Sequence, residues 1–263
     1  MKSNYGLAAA VLTVVFVVPA LAFDLGDPIY KGDVKGNVRV EVIYENFDRD
    51  AVFSDYKITA EGPGGTVSEE IEESDTSTES DVLMLRLAWL ASEKATIYVD
   101  GGALEDDTAE DQPFVFGAGG RYLAYQQGVA RISIVASGHM VPSYDVEDDD
   151  FDEDLGRTIG EGEINYYEAS AGALLSGDIA LDPKTKFVPY GGLLFSVLGG
   201  EIDADFQFPD VDVTASSSAD IEEDEALVAV LGASLVFQEN LSIRIEGRLI
   251  GDASVSGGIA AAF

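Results

Sequence analysis

Along the stretch ASVSGGIAAAF, residues 253–263, Val255, Ile259, Ala261 and Phe263 fall on one parity, and Ser254 and Ser256 fall on the other. Successive side chains of a strand point to opposite faces, so this period-two pattern describes a ribbon with one apolar and one polar side. Such a strand, ending on an aromatic residue, suits a wall between lipid and a polar interior.

The opposite end of the chain says where that wall is built. Lys2 precedes an apolar run over residues 7–18 (LAAAVLTVVFVV), and Ala20-Leu21-Ala22 supplies the small-x-small pattern of a leader-peptidase site. A secretory signal peptide over 1–22 is expected, leaving a mature domain 23–263. The apolar run is shorter than the ~20 residues a spanning helix needs, and no other segment approaches that length. The chain has no cysteine, which excludes a lipid-anchored cysteine, disulfides and thiolate metal sites.

Alternation recurs through the mature chain. In GNVRVEVIYENF (36–47), Val38, Val40, Val42 and Tyr44 alternate with Arg39, Glu41 and Glu45. Further strands are expected at 82–91, 95–103, 114–125, 129–141, 164–176, 187–200, 226–237, 241–250 and 253–263, about ten in all, an even number as a bacterial single-chain barrel requires. Short turns at 92–94, 126–128, 178–186 and 238–240 alternate with long polar connections at 47–81, 104–112, 142–163 and 201–225. Short turns at one end and long loops at the other are the polarity of an up-and-down transmembrane barrel with both termini in the periplasm. Pro189 makes the start of the seventh strand uncertain by a residue or two, because proline cannot donate to a ladder. A hairpin hidden around residues 56–60 would raise the count to twelve, and eight remains open.

The charges are sorted by the same parity. Arg39, Arg86, Arg121, Arg131, Arg244 and Arg248 sit on strand positions whose neighbours face lipid, and Glu41, Asp100, Glu168 and Glu246 share their side. A charge facing hydrocarbon at midplane costs roughly 2–4 kcal/mol, so these residues are expected to point inward and pair in a largely plugged lumen. A packing role alone would satisfy this network. Carboxylates dominate the long connections and give a formal net charge of −34, whereas Lys31, Lys35, Lys94, Lys184 and Lys186 fall at the short-turn end. The acidic exterior argues against nucleic-acid binding and repels lipopolysaccharide phosphates unless divalent cations bridge them. Simple solvation of blocks of like charge is the plainer explanation. Tyr44, Trp89, Phe114, Phe116, Tyr122, Tyr167, Tyr190 and Phe237 fall toward strand ends, as interface girdles require.

Two motifs bear on chemistry. In DFDEDLGRTIGE (150–161), Asp150, Asp152, Asp154 and Glu161 take the first, third, fifth and twelfth places of a calcium-loop pattern, although Leu155 stands where the sharp bend needs glycine and no helices flank the loop. A Ca2+ ion in an outer loop is the one cofactor this implies, with a solvated acidic loop as the alternative. Ser137 and the single histidine, His139, share one face of a strand, where a hydroxyl could approach an imidazole oriented by Glu161 or Glu163. That makes a lipid-modifying hydrolase the alternative to a non-enzymatic barrel; a hydrogen-bonded structural histidine is the plainer reading.

Over residues 23–263 this organisation resembles the Gram-negative outer-membrane β-barrel superfamily. Its C-terminal strand, with Ser256, Gly258 and terminal Phe263, resembles the assembly signal of those barrels; Ala261 stands where a second aromatic is common. The resemblance implies location in the cell outer membrane among lipid and lipopolysaccharide, insertion by the barrel-assembly machinery, and an all-β fold. The superfamily includes pores, adhesins, enzymes and anchors, so fold alone does not choose. The expected function is structural or porin-like passage of small solutes or cations.

Overall fold

The computed structural model describes residues 25–105, 109, 112–152, 156–209, 212–223, 226–249 and 252–263. These form strands only: β1 (Val38–Gly62), β2 (Gly65–Trp89), β3 (Ala95–Glu105), β4 (Phe114–Gln127), β5 (Ala130–Asp152), β6 (Gly156–Gly177), β7 (Ile179–Asp182), β8 (Thr185–Phe208), β9 (Val213–Glu223), β10 (Leu227–Phe237), β11 (Leu241–Leu249) and β12 (Asp252–Ala262). All pairings are antiparallel. They run β1 to β6, then β8, β10, β11 and β12, and β12 returns to β1 with Arg39 opposite Ala262 and Val42 opposite Ile259. Ten strands therefore close a barrel. The Phe263 carbonyl completes the seam by accepting the N–H groups of Asn37 and Val38.

The other two strands are additions at opposite ends. β7 is a short ribbon on β8 at the end of the short turns. In its turn the Asp182 carboxylate accepts the Lys184 N–H at 2.7 Å, which with Thr185 holds this exposed carboxyl below the usual range. β9 bridges the outer end, pairing with β8 on one side and β1 on the other. Above the ten-stranded ring the sheet continues in the order β2-β1-β9-β8-β6-β5.

The polarity of the wall inverts along its height. In the ring, Val42, Leu85, Val99, Ile134, Leu193, Phe195 and Ile245 face outward, while Arg39, Glu41, Arg86 and Ser196 face inward; Leu85 is 55% exposed and its neighbour Arg86 1%. Higher on β8, Asp203, Asp205 and Gln207 take the outward parity, and Ile202, Ala204, Phe206 and Phe208 turn inward. These join Phe47, Phe53, Ile58, Val141, Tyr144, Val146, Ile164, Tyr166 and Ile221 in an apolar core inside the outer half. The changeover lies at Tyr44, whose hydroxyl donates to Asp81 at 2.7 Å, and at Asn46, whose amide donates to the same carboxylate at 3.1 Å. An apolar exterior over a polar interior suits lipid, and the reverse arrangement suits water.

This inversion corrects the expectation of long acidic loops. Segments 47–81, 142–163 and 201–225 are largely continuations of β1, β2, β5, β6, β8 and β9. The outward residues turn polar there because water replaces lipid, but the ladder keeps its partners and the inward residues keep the sheet packed. Residues 56–60 lie on β1, and its hairpin turns at 63–64. An extra residue at Pro142–Ser143 in β5 shifts the register between Val141 and Tyr144, bringing Tyr144 and Val146 inward. A bulge is where a strand tolerates proline. Among the expected girdle residues Tyr190 is a correction: it is buried, and its hydroxyl donates to Glu246 at 2.8 Å.

The inversion predicts that one substitution has two prices. Leu85→Arg in the lipid belt is expected to destabilise the barrel by about 2–4 kcal/mol, whereas Ser216→Arg on the exposed face of β9 stays within about 0.5 kcal/mol. Urea unfolding in lipid vesicles measures both; equal effects would mean that the belt does not contact lipid.

Candidate functional site

Residues 25–34 leave the wall and run up inside the barrel, climbing β5 from its periplasmic end. Asp33 meets Arg131, Tyr30 meets Ser133, and Leu25 packs against Val135. Leu25, Asp27, Ile29, Tyr30, Asp33 and Val34 are all buried. Gly26 has a φ of 73°, a left-handed conformation that favours glycine, and it lies between the guanidinium groups of Arg86 and Arg121.

Each carboxylate of the segment answers arginines of the wall. Asp33 takes a bidentate pair from Arg131 at 2.8 and 2.9 Å; Asp178 also accepts from Arg131 at 2.8 Å, and Lys186 approaches Asp33 at 3.4 Å. Asp27 accepts both terminal nitrogens of Arg39, one at 3.0 Å, together with Ser234 at 2.8 Å, and Arg121 stands 3.8 Å away. Arg121 donates to the Leu25 carbonyl at 2.9 Å, and the Leu25 N–H donates to Glu246 at 3.3 Å. Planar guanidinium forks suit such bidentate pairs.

Higher in the lumen the wall pairs with itself. Arg244 donates to Glu41, and Ser254 to Glu45 at 3.0 Å. Arg248 lies 3.6 Å from Glu168 and 4.0 Å from Glu246. Arg86 donates to Asp100 at 2.8 Å while its guanidinium stacks 4.2 Å from the centre of the Tyr98 ring, and His139 Nε2 stands 3.1 Å from Asp100. All ten residues expected in the lumen network are thus placed inside and brought into contact.

Two carboxylates of this network, Asp27 and Asp33, lie outside the expected strands, and Glu45, although on the polar parity of the first strand, was not counted into the network. A signal was available. Six inward arginines stood against four inward carboxylates, leaving two arginines without acids, and DLGDPIYKGD (24–33) carries acids next to the first strand. Counted in the structure, the buried set is six arginines and seven carboxylates among the described residues.

The pairing suggested for Ser137 and His139 is corrected. The Ser137 hydroxyl lies 3.1 Å from that of Ser170, which in turn reaches Glu168 at 3.5 Å, and His139 is oriented by Asp100. Glu161 and Glu163, the suggested orienters, are exposed on the outer face of β6. They fail because Ser137 and His139 lie in the ring, whereas positions 161 and 163 lie above it on the opposite parity. Of the calcium-loop residues, Asp154 lies outside the described residues, and Asp150 and Asp152 lie on β5 with Asp150 opposite Thr158. Residues 150–152 belong to β5 and 156–161 to β6, and among the described residues no group of three acidic, histidine or cysteine side chains is arranged to hold a metal. At the C terminus Ser256 and Gly258 face inward; a Cβ at Gly258 would sit 2.6 Å from Glu41 Oε1, and Phe263 is exposed at the periplasmic rim.

The exposed face of the outer sheet is acidic. Asp203 is opposite Glu163 on one side and Ser218 on the other, and Asp205 is opposite Glu161. With Lys57 and Asp145 they border an open hollow of about 650 Å³. Like charges directly opposite one another oppose sheet pairing, so the apolar core beneath must hold these strands together.

No protein-family model matches the sequence, and no curated protein matches it. Among solved structures the chain is similar to the translocator domain of the autotransporter NalP from Neisseria meningitidis, with 14% identity, 89% of this chain and 91% of that chain covered, and a TM-score of 0.39. It is similar to the outer membrane protease OmpT from Escherichia coli, with 10% identity, coverage of 86% and 97%, and a TM-score of 0.44. It is also similar to the toluene transporter TbuX from Ralstonia pickettii, with 11% identity, coverage of 87% and 90%, and a TM-score of 0.35. The closed ladder, lipid-facing belt and charged interior make this chain a ten-stranded outer-membrane β-barrel.

Removing one member of a buried pair leaves the other charge stranded. Asp27→Ala is expected to cost about 3–5 kcal/mol, and Ser137→Ala about 1 kcal/mol or less. Urea midpoints in detergent micelles test the ranking; similar values for the two variants would remove Asp27 from the network.

Proposed function

We propose that this barrel is a sealed anchor: it holds an acidic β-platform above the outer membrane and conducts no solute. One observation carries the reading. The lumen is occupied along its length, by residues 25–34 in the lower half, by the Arg86–Asp100–His139 and Arg248–Glu168 groups above them, and by the apolar core at the outer end. A water-filled pore needs a continuous polar path, and a core containing Phe47, Phe206 and Phe208 opposes one at the outer mouth.

The platform follows from strand length. β1 continues for eighteen residues beyond Tyr44 up to Gly62, about 45 Å of rise at a typical barrel tilt. Its outward carboxylates keep that surface hydrated and repel lipopolysaccharide phosphates except through bridging divalent cations. In biogenesis the C-terminal strand serves as the sequence recognised by the barrel-assembly machinery, with Phe263 as its terminal aromatic.

Purified mature protein reconstituted in planar bilayers is expected to give no stepwise conductance over long recordings. Reproducible steps, with the cation preference an acidic mouth would impose, would establish the porin-like reading instead.

A further inference from the structure

We propose that the outer edge of β2, residues 65–77, docks an extended, lysine- or arginine-rich segment of another protein, which joins the platform as its next strand. The inference rests on the reading of the outer half as a platform above the membrane. Above the ring the sheet ends on β2. Asp81 is opposite Glu105 of β3, and beyond that pair residues 65–80 are laddered to β1 alone among the described residues. Only three residues separate Glu105 from Ala109, which bridges to Val146 on β5, the strand at the opposite edge of the sheet. That connection therefore reaches no further along β2 than Thr78.

Over residues 65–77, about 40 Å of strand, alternate residues turn both N–H and C=O away from β1. An edge of this kind is a template onto which another extended chain pairs, main chain to main chain. Residues 65–70 are exposed on both faces, so packing blocks neither side of the tip.

The chemistry of the occupant follows from charge. The edge carries Glu69, Glu70, Glu72, Glu73 and Asp75, on both parities of the strand, and no lysine or arginine. Among the described pairs, Lys57 opposite Glu70 is the one base that β1 sets against them. A second copy of this edge would place carboxylate against carboxylate, which opposes pairing between copies. A strand bearing ammonium or guanidinium groups meets the opposite condition: whichever face its side chains take, acids stand across from them.

The probe is a twelve-residue peptide of alternating lysine and threonine. It is compared with the same peptide N-methylated at every residue, which keeps the charge and loses the backbone donors, and with a counterpart of alternating glutamate and threonine. Calorimetry uses the folded protein in lipid nanodiscs at about 0.15 M salt, where surface attraction is screened beyond about 8 Å. The lysine peptide is expected to bind at least about 10-fold more tightly than its N-methylated form, and the glutamate peptide not to bind. Because the chain has no cysteine, single variants locate the contact. A lysine peptide with one central cysteine is expected to form a disulfide with Ser68→Cys and not with Ser216→Cys, which borders the acidic hollow on β9, a strand paired on both sides. Equal affinity for the lysine peptide and its N-methylated form, no binding of either, or trapping at position 216 as readily as at 68 would overturn the proposal.

A bulky polar maleimide separates this proposal from the reading beneath it. Ready labelling of Ser68→Cys with protection of Leu85→Cys places the platform in water, and absent peptide binding then removes the docking edge alone. Protection of position 68 would remove both.

Discussion

Six arginines are buried inside the barrel, and each needs a counter-charge within reach of its guanidinium. Taking an ion out of water costs several kcal/mol even after relaxation, and close pairing with well-placed hydrogen bonds recovers it. The wall supplies part of the answer through Glu41, Asp100, Glu168 and Glu246. The rest comes from a segment that is not in the wall: Asp27 between Arg39 and Arg121, and Asp33 on Arg131. The lower half of the barrel therefore cannot be understood as a cylinder alone. Its interior is completed by residues 25–34, much as a core is completed by its last side chain.

The same wall serves two solvents. Backbone groups in hydrocarbon find no water, so the ladder must close on itself, and β12 pairing with β1 provides that closure. Above Tyr44 and Asn46 the surroundings become aqueous and the two faces exchange character. On β8 the exchange occurs across Gly199 and Gly200, with Phe195 and Val197 outward below them and Asp203 and Asp205 outward above. The inward side changes from salt bridges to Phe206 and Phe208, so the strands stay packed after the lipid belt ends. Charge pairing lines one half of the interior and apolar packing the other, and the proposed sealed anchor rests on both.

Much of this was legible because period-two alternation is set by the pleat and by the solvent on each face. Val38 to Tyr44, Leu83 to Trp89 and Val255 to Phe263 gave the belt, and the arginines on the opposite parity gave the lumen. Where the outward residues became carboxylates, as in EIDADFQF (201–208), polar character read as loop, although Ile202, Ala204, Phe206 and Phe208 preserved the alternation. Residues 25–34 were hidden for another reason. DLGDPIYKGD has no strand period, and its position inside the ring depends on contacts with β5, β10 and β11 that no local pattern encodes. Ser137 and His139 share a face as their spacing implied, but the third partner was set by register: β3 brings Asp100 to His139, while Glu161 and Glu163 lie above the ring, facing out.

The central claim is that the wall's arginines are neutralised by the chain's own amino-terminal segment inside the lumen. A carbon–nitrogen distance measured by magic-angle-spinning NMR, between a labelled Asp27 carboxyl and labelled Arg39 guanidinium nitrogens in lipid vesicles, addresses it directly. Hydrogen-bonded contact predicts about 3.5–4 Å. A separation beyond about 7 Å, too long for such a contact, would place Asp27 outside the lumen network and contradict it.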